Sequence, residues 1–238
     1  MKKVLLLLLM LCSITTFGQY AKTQEDIDLS IAFGQSFAPS LSYQKLYGLG
    51  KNKRFKIGWG LRANGLFSGE KTYRTAPARL TSGQYSIFAL FSDDIVSNID
   101  TLRLSKTALG SFNAKIVLQY SFRKFDIGFN IDAIGVSFGG NQTGKFVSAE
   151  SASLNNTTQV AKPSIFNLLL ISDSDLGSLN SELYASYHLN TKWSLRSGVS
   201  FQFLEYKTDR LLTFENDRFR HKILQPFLAI SYQIGHKK

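Results

Sequence analysis

Three histidines, His188, His221 and His236, are the first residues to test for chemistry in this chain of 238 residues. His188 stands opposite Ser194 across the short turn "NTK" (190–192), the geometry a Ser–His nucleophile pair needs. Both point to the same face of their strands, so the pair reads as a hydrogen-bonded interior contact. A His–Asp hydrolytic site would need Asp93 or Asp94, and the strand pattern sends these to the opposite end from His188. "SDSDLGSLNSE" (172–182) sets Asp173, Asp175 and Asn180 around a glycine, but the spacing does not match an EF-hand loop. It reads as a polar turn entering a strand. "NNTT" (155–158) fits an N-glycosylation acceptor pattern that is common by chance. There is no Walker motif, no G-x-G-x-x-G between a strand and a helix, no H-E-x-x-H and no C-x-x-C. Cys12 is the only cysteine, which excludes a disulfide scaffold and, downstream of it, a thiol nucleophile. No catalytic residue, cofactor or metal is expected, and the chain does not read as an enzyme.

The elements that would position these residues are strands. In "SFNAKIVLQYSFRKFDIGFNIDAIGVSFGG" (111–140) apolar and polar residues alternate: Phe112, Ile116, Leu118, Tyr120 and Phe122, then Phe125, Ile127, Phe129 and Ile131. That period of two, broken only by Arg123–Lys124, predicts a β-hairpin with one apolar and one polar face. The pattern recurs in "IDLSIAF", "RFKIGWGLRANG", "ELYASYHL", "WSLRSGVSFQF" and "LAISYQIG". Eight strands follow, at about 26–36, 41–49, 54–67, 111–122, 125–139, 180–189, 193–206 and 219–235, with ten as the alternative. "PSLSYQKLYG" is the weakest of them, because 26–49 can also be read as one long bent strand. "YSIFALFSDDIVSNI" (85–99) reads as a short helix or an extra hairpin within its loop.

Register follows from the two-residue turn. If Phe122 pairs with Phe125, then Ser121 faces Asp126, Gln119 faces Gly128, Val117 faces Asn130 and Lys115 faces Asp132. The apolar parity changes after Asp132, which predicts a β-bulge near 132–134. Around "NTK", Leu189 pairs with Trp193, Ser186 with Arg196 and Tyr184 with Gly198, so that Tyr184 fills the space this glycine leaves. The polar faces then gather Lys56, Arg62, Lys115 and Arg196 against Asp126, Asp132 and Glu182, with Lys115 facing Asp132. Mixed signs predict a cross-linked plug rather than an open channel.

Four features bear on whether lipid or water meets the apolar face. Gly58, Gly60, Gly128 and Gly198 sit on the polar face, where small residues make room for large ones in a narrow interior. Phe55, Trp59, Phe122, Phe125, Tyr187 and Trp193 cluster near the short turns, as in an interfacial aromatic girdle. Short turns ("GKNKR", "RK", "NTK") alternate with long connections (68–110, 141–178, 207–218). The net charge of +11 resides mainly in the turns and tail: Lys51, Lys53, Arg54, Arg123, Lys124, Lys192, Lys237 and Lys238, without an acid among them. The long connections nearly balance. Anionic lipid headgroups or cell-wall polymer would complement this end. No Arg/Lys-rich helix or RNA-type aromatic motif accompanies the charge, so nucleic acid is not an expected partner.

"MKKVLLLLLMLCSITTFGQY" has two lysines, an apolar run from Val4 to Cys12 and a small residue at Gly18. It reads as a secretory signal peptide over 1–18, leaving one barrel domain over 19–238. With that leader, the strand pattern and the turn–loop asymmetry, the chain resembles the small porin-like outer-membrane β-barrels of Gram-negative bacteria, of the OmpA/OmpX type. The resemblance implies an all-β, up-and-down antiparallel transmembrane barrel with an even number of strands, periplasmic termini and long extracellular loops. It also implies a place in the cell envelope, in the outer membrane, with outer-membrane lipids around the barrel. Unlike such barrels, the chain carries a polar tail after Ile234.

The expected function is non-enzymatic, a structural, recognition or adhesion role through the loops, which could engage an extracellular ligand or protein. Alternatives are an outer-membrane enzyme acting on lipid or peptide, and a narrow diffusion pore. The apolar runs "YSIFALF" (85–91) and "IFNLLLI" (165–171) lie in loops where water should not meet them, and are expected to fold back over the barrel mouth.

Overall fold

Period-two alternation becomes strand wherever it occurs in the computed structural model, which describes residues 22–84, 92–170 and 174–237. The proposed leader (1–18) and the run 85–91 lie outside the described residues. The sheet is antiparallel throughout. Its strands are β1 (Thr23–Ala32), β2 (Ala38–Leu49), β3 (Phe55–Ser68), β4 (Lys71–Thr75), β5 (Thr101–Leu104), β6 (Thr107–Ser121), β7 (Phe125–Phe138), β8 (Gln142–Val147), β9 (Thr158–Pro163), β10 (Phe166–Leu168), β11 (Leu179–His188), β12 (Trp193–Thr208) and β13 (Arg218–Lys237). A single helical turn, α1 (Ala78–Thr81), follows Pro77.

The described residues thus hold thirteen strands where eight were expected. The expected eight are all present, as β1, β2, β3, β6, β7, β11, β12 and β13, and β1 and β2 are separate strands. The other five lie in the segments 68–110 and 141–178, which read as loops. Their strands are only 3–6 residues long, too short for alternation to stand out.

The pairings form two closed circuits that share one hairpin. In the first, β1 pairs with β2, β2 with β3, β3 with β6, β6 with β7, β7 with β11, β11 with β12, β12 with β13, and β13 again with β1. In the second, β4 leaves β13 at Phe219–Arg220 and pairs with β5, which pairs with β8. β8 pairs with β9, and β9 returns to β12 at Tyr206–Thr208. The hairpin of β12 and β13 is long enough, at 16 and 20 residues, to serve as a spine through both. β10 lies along β7 at Ile134–Val136, continuing above the end of β11.

Register follows the two-residue turn. The Phe122 amide donates to the Phe125 carbonyl (2.8 Å), and their rings stack with centroids 4.4 Å apart. Ser121 faces Asp126, Gln119 faces Gly128, Val117 faces Asn130 and Lys115 faces Asp132. The register then shifts so that Ala114 faces Ile134, leaving Ala133 as the bulge residue.

The two rings have opposite polarity. On the lower ring, outward residues are large and apolar, with Leu29 57 %, Leu228 57 % and Leu183 55 % exposed. Inward residues are charged, with Arg62 and Lys115 1 % and Asp132 0 % exposed. In the upper ring Tyr73, Leu102, Leu104, Phe146, Tyr206 and Phe219 form the core, all fully buried. Thr72, Arg74, Arg103, Thr143 and Lys145 face outward there.

Candidate functional site

The lower ring's interior collects the charges that the sequence pattern sends inward. At the turn end, Asp26 accepts from Gln24 (2.8 Å) and Gln44 (3.3 Å), and Lys56 donates to Gln24. Nearby, His188 Nε2 meets Asp126 at 3.0 Å. His188 and Ser194 are in register, yet the imidazole turns to Asp126 on the neighbouring strand. Among the described residues no hydrogen bond joins His188 to Ser194, so that expected contact is corrected. A side chain at a strand end can lean toward either neighbour, and the buried carboxylate is the stronger acceptor.

Halfway up, Arg62 bridges Asp132 (3.0 Å) and Glu182 (3.0 Å) and also donates to Asn130. Arg196 pairs with Asp28 and with Glu182 (3.3 Å), and its guanidinium lies 3.9 Å over the Tyr184 ring. Asn113 donates to Asp132 (2.8 Å), as does the Asn180 amide (3.0 Å). Planar guanidinium groups suit this role, because each serves two carboxylates at once.

Lys115 departs from the expected partner. It is paired in register with Asp132, but its ammonium donates to Ser42 Oγ (3.0 Å). Arg62 and Asn113 already occupy Asp132. The lysine chain instead crosses β3 over Gly60, where a Cβ would stand 2.7 Å from Lys115 Cε. Glycine on the inner face therefore opens a lane for a long side chain.

Tyr184 shows a similar lean. It is in register with both Gly198 and Gly128. Its ring covers Gly128, where a Cβ would come 2.3 Å from Tyr184 Cζ, and not Gly198, whose near neighbours are the backbone of Leu183 and Tyr184. The ring's hydroxyl donates to Gln119 (3.0 Å) on β6, which lies on the Gly128 side.

Lys56, Arg62, Lys115, Asp126, Asp132, Glu182 and Arg196 all lie buried in this interior. Asp26 and Asp28 belong with them and were missed. The alternation in "EDIDLSIAF" was the signal, since the parity that sends Ile27 and Leu29 outward sends these carboxylates in. With them, five carboxylates meet four Lys or Arg. The cavity between Asn64, Ser111, Asp132 and Gln202 has only about 10 Å³.

Other candidates do not assemble. Asp94 binds Arg74 (3.0 Å) on the upper ring, far along the strand pattern from His188. Asp175 Oδ1 caps the Leu170 amide (2.7 Å), and Asn180 accepts from Ser200 (2.9 Å); Asp173 lies outside the described residues. No group of metal ligands is found among the described residues. Asn155 accepts from the Ser148 amide (3.2 Å).

Where the rings meet, Glu205 is buried between Arg218 (2.8 Å) and Arg220 (2.9 Å), and Ser164 donates to it (2.8 Å). Both arginines also donate to the Asp175 carbonyl, which fastens the segment above β11 to the spine. Above this level the core is apolar, and burial pushes the Tyr73 phenol above its usual range.

The class of protein so defined is an all-β antiparallel barrel with charged residues inside and aliphatic residues outside. No family model and no curated protein matches the chain. Among solved structures it is similar to Neisserial surface protein A, at 9 % identity and TM-score 0.37, covering 88 % of this chain and 94 % of that one. A major outer membrane protein from Thermus thermophilus gives 10 % identity and TM-score 0.38, over 89 % and 99 % of the two chains. Ail, the attachment invasion locus protein of Yersinia pestis, gives 9 % and 0.30, over 90 % and 99 %.

Proposed function

We propose that the chain is a non-enzymatic outer-membrane protein, with the eight-strand circuit crossing the bilayer and the upper ring standing outside it as a recognition or adhesion head. The observation that carries this reading is the inverted polarity of the lower ring. Rows such as Ile27, Leu29 and Ile31, beside Leu41, Leu228 and Ile230, would make a continuous apolar wall far larger than water-soluble monomers expose. A closed barrel is the strand structure that leaves no unpaired edge in lipid.

The polar outward face of the upper ring, with Thr72, Arg74, Arg103, Thr143 and Lys145, supports the second half of the proposal. The connections beside this ring expose Val96, Leu211 and Phe214. Phe214 and Glu215 take consecutive positive φ values (56° and 53°), a strained turn that keeps a large ring at the surface.

The charge network across the interior and the cavity of only about 10 Å³ beside Asp132 support scaffold over pore. Fractionation combined with a heat-modifiability gel tests the reading. The protein should stay in the outer-membrane fraction and shift mobility on boiling. Recovery in the water-soluble fraction without detergent would sink it. Planar-bilayer recordings should show no steady conductance, and a stable ohmic step would replace the scaffold with a channel.

A further inference from the structure

Three segments converge at the turn end around a pocket of about 710 Å³: the turn Arg123–Lys124, the turn at 190–192, and residues 233–235 of β13. Its cationic lining is Arg123, Lys124 and Lys192, with the His188 imidazole beside them, and no carboxylate lines it among the described residues. The adjacent acids are engaged. Asp126, buried beneath, holds His188 at 3.0 Å, and Glu25, beside Gly235, holds Lys45 at 2.8 Å.

Pockets at the loop end differ. One of about 500 Å³ sets Lys207 against Asp217 (3.0 Å) and Arg218 against Glu205 (2.8 Å). Another, of about 260 Å³, is lined by Arg74, Arg220 and Lys222; Asp94 in its wall holds Arg74 (3.0 Å), and Glu205 holds Arg220 (2.9 Å). Of these three pockets, the turn-end one is the one with no carboxylate in its described lining.

Aromatic rings adjoin these cations in sequence. Phe122 and Phe125 flank Arg123–Lys124 and stack at 4.4 Å. Trp193 follows Lys192 and lies 4.7 Å from Tyr232. Beyond them run the outward aliphatics Ile127, Leu195 and Ile230. Cations, then aromatics, then aliphatics is the order in which a phospholipid presents its phosphate, glycerol region and acyl chains.

We propose that this pocket seats the phosphodiester headgroup of an anionic phospholipid from the leaflet at the turn end. Arg123, Lys124 and Lys192, exposed in the turns at the barrel rim, meet the phosphate, so that the acyl chains pass over the rim to the outer wall below the Phe122–Phe125 and Trp193–Tyr232 pairs. The assignment rests on the membrane reading above.

Native mass spectrometry of the detergent-extracted protein, offered phosphatidylglycerol or phosphatidylcholine, tests it. The wild type should retain phosphatidylglycerol preferentially. The triple variant R123Q/K124Q/K192Q should lose that preference by about fivefold for each cation removed. The loop-end control K145Q/K162Q/K207Q should keep it. Equal losses in both triples would mean diffuse attraction and overturn the site. Displacement of the lipid by millimolar inorganic phosphate would make it a free-anion site and overturn the lipid assignment. A wild type that shifts on boiling but shows no lipid preference removes this proposal alone. A wild type that stays water-soluble and shows no shift removes the membrane reading, and the lipid with it.

Discussion

The same two strands build a charged interior in the lower ring and an apolar one in the upper ring. Along β12 the inward parity is constant: Ser194, Arg196, Ser200 and Gln202, then Leu204 and Tyr206. Nothing in the register breaks between Gln202 and Leu204. The chemistry of both faces changes instead: the other parity passes from Leu195, Val199 and Phe201 through the buried, ion-paired Glu205 to Lys207. β13 makes the switch in part: Phe219 and Ile223 face inward near the top and Gln225 and Ser231 below, with Phe227 and Ala229 also inward among the lower ring's polar groups. Closure is common to both rings; on the proposed membrane reading, the medium outside decides which residues fill the middle. An apolar exterior satisfied by lipid would free the interior to hold charge. An exterior in water demands an apolar core.

This contrast gives four experiments of decreasing effect. The largest should come from Arg62→Met. It leaves Asp132 and Glu182 without their shared guanidinium in a site closed to water. Breaking a buried ion pair from one side costs about 3–5 kcal/mol. Denaturant unfolding in detergent micelles should show that loss. An unchanged midpoint would mean that water or rearranged amides serve these carboxylates, and the charge network would not hold the interior together.

Leu29→Lys comes next. Leu29 lies mid-band on the lower ring, between Leu41 and Ile230, with its side chain outward. A lysine near the bilayer midplane costs about 2–4 kcal/mol. Refolding into vesicles should be impaired by that amount, whereas a water-exposed wall would tolerate the change.

Gly128→Ala tests the packing of the plug itself. A methyl group there would meet Tyr184 Cζ at 2.3 Å, so the ring must leave its place over β7, under Arg196 and beside Gln119. Overpacking of this kind costs about 1–3 kcal/mol. The companion change Tyr184→Leu should relieve part of the strain. If the two substitutions simply add, the ring does not depend on the glycine.

How far these residues were legible depends on the kind of constraint. Register was readable at Phe122–Phe125 because a two-residue turn and strict alternation leave one pairing, and the bulge at Ala133 was readable as a change of parity. The lean of a side chain was not. Pairing puts Tyr184 beside two glycines and Lys115 beside Asp132, but whether the ring covers Gly128 or Gly198, and whether Arg62 reaches Asp132 first, depends on side chains from strands distant in sequence. The upper ring was hidden for a different reason. Its strands, such as "TLRL" and "KTYRT", are short and separated by long connections, so period two never accumulates. Only their closure onto β12 and β13 makes Tyr73, Phe146 and Phe219 a core.

The smallest expected effect is also the one that separates the rings most directly. Thr143 stands outward on β8 of the upper ring, as Leu29 does on β1 of the lower. Its side chain is exposed, and among the described residues it makes no hydrogen bond that the change would remove. If water meets this wall, Thr143→Lys should alter stability by less than about 0.5 kcal/mol, the usual range for an exposed site. The identical residue at position 29 should cost several times more, although both positions are outward residues of closed antiparallel rings. Measured in the same micelles and in the same unfolding experiment, the two lysines isolate the surrounding medium as the variable. A penalty at Thr143 as large as at Leu29 would extend the bilayer over the upper ring, and its apolar core would then need another explanation. Equal tolerance at both would put water around the lower ring as well, leaving its aliphatic wall without a solvent to justify it.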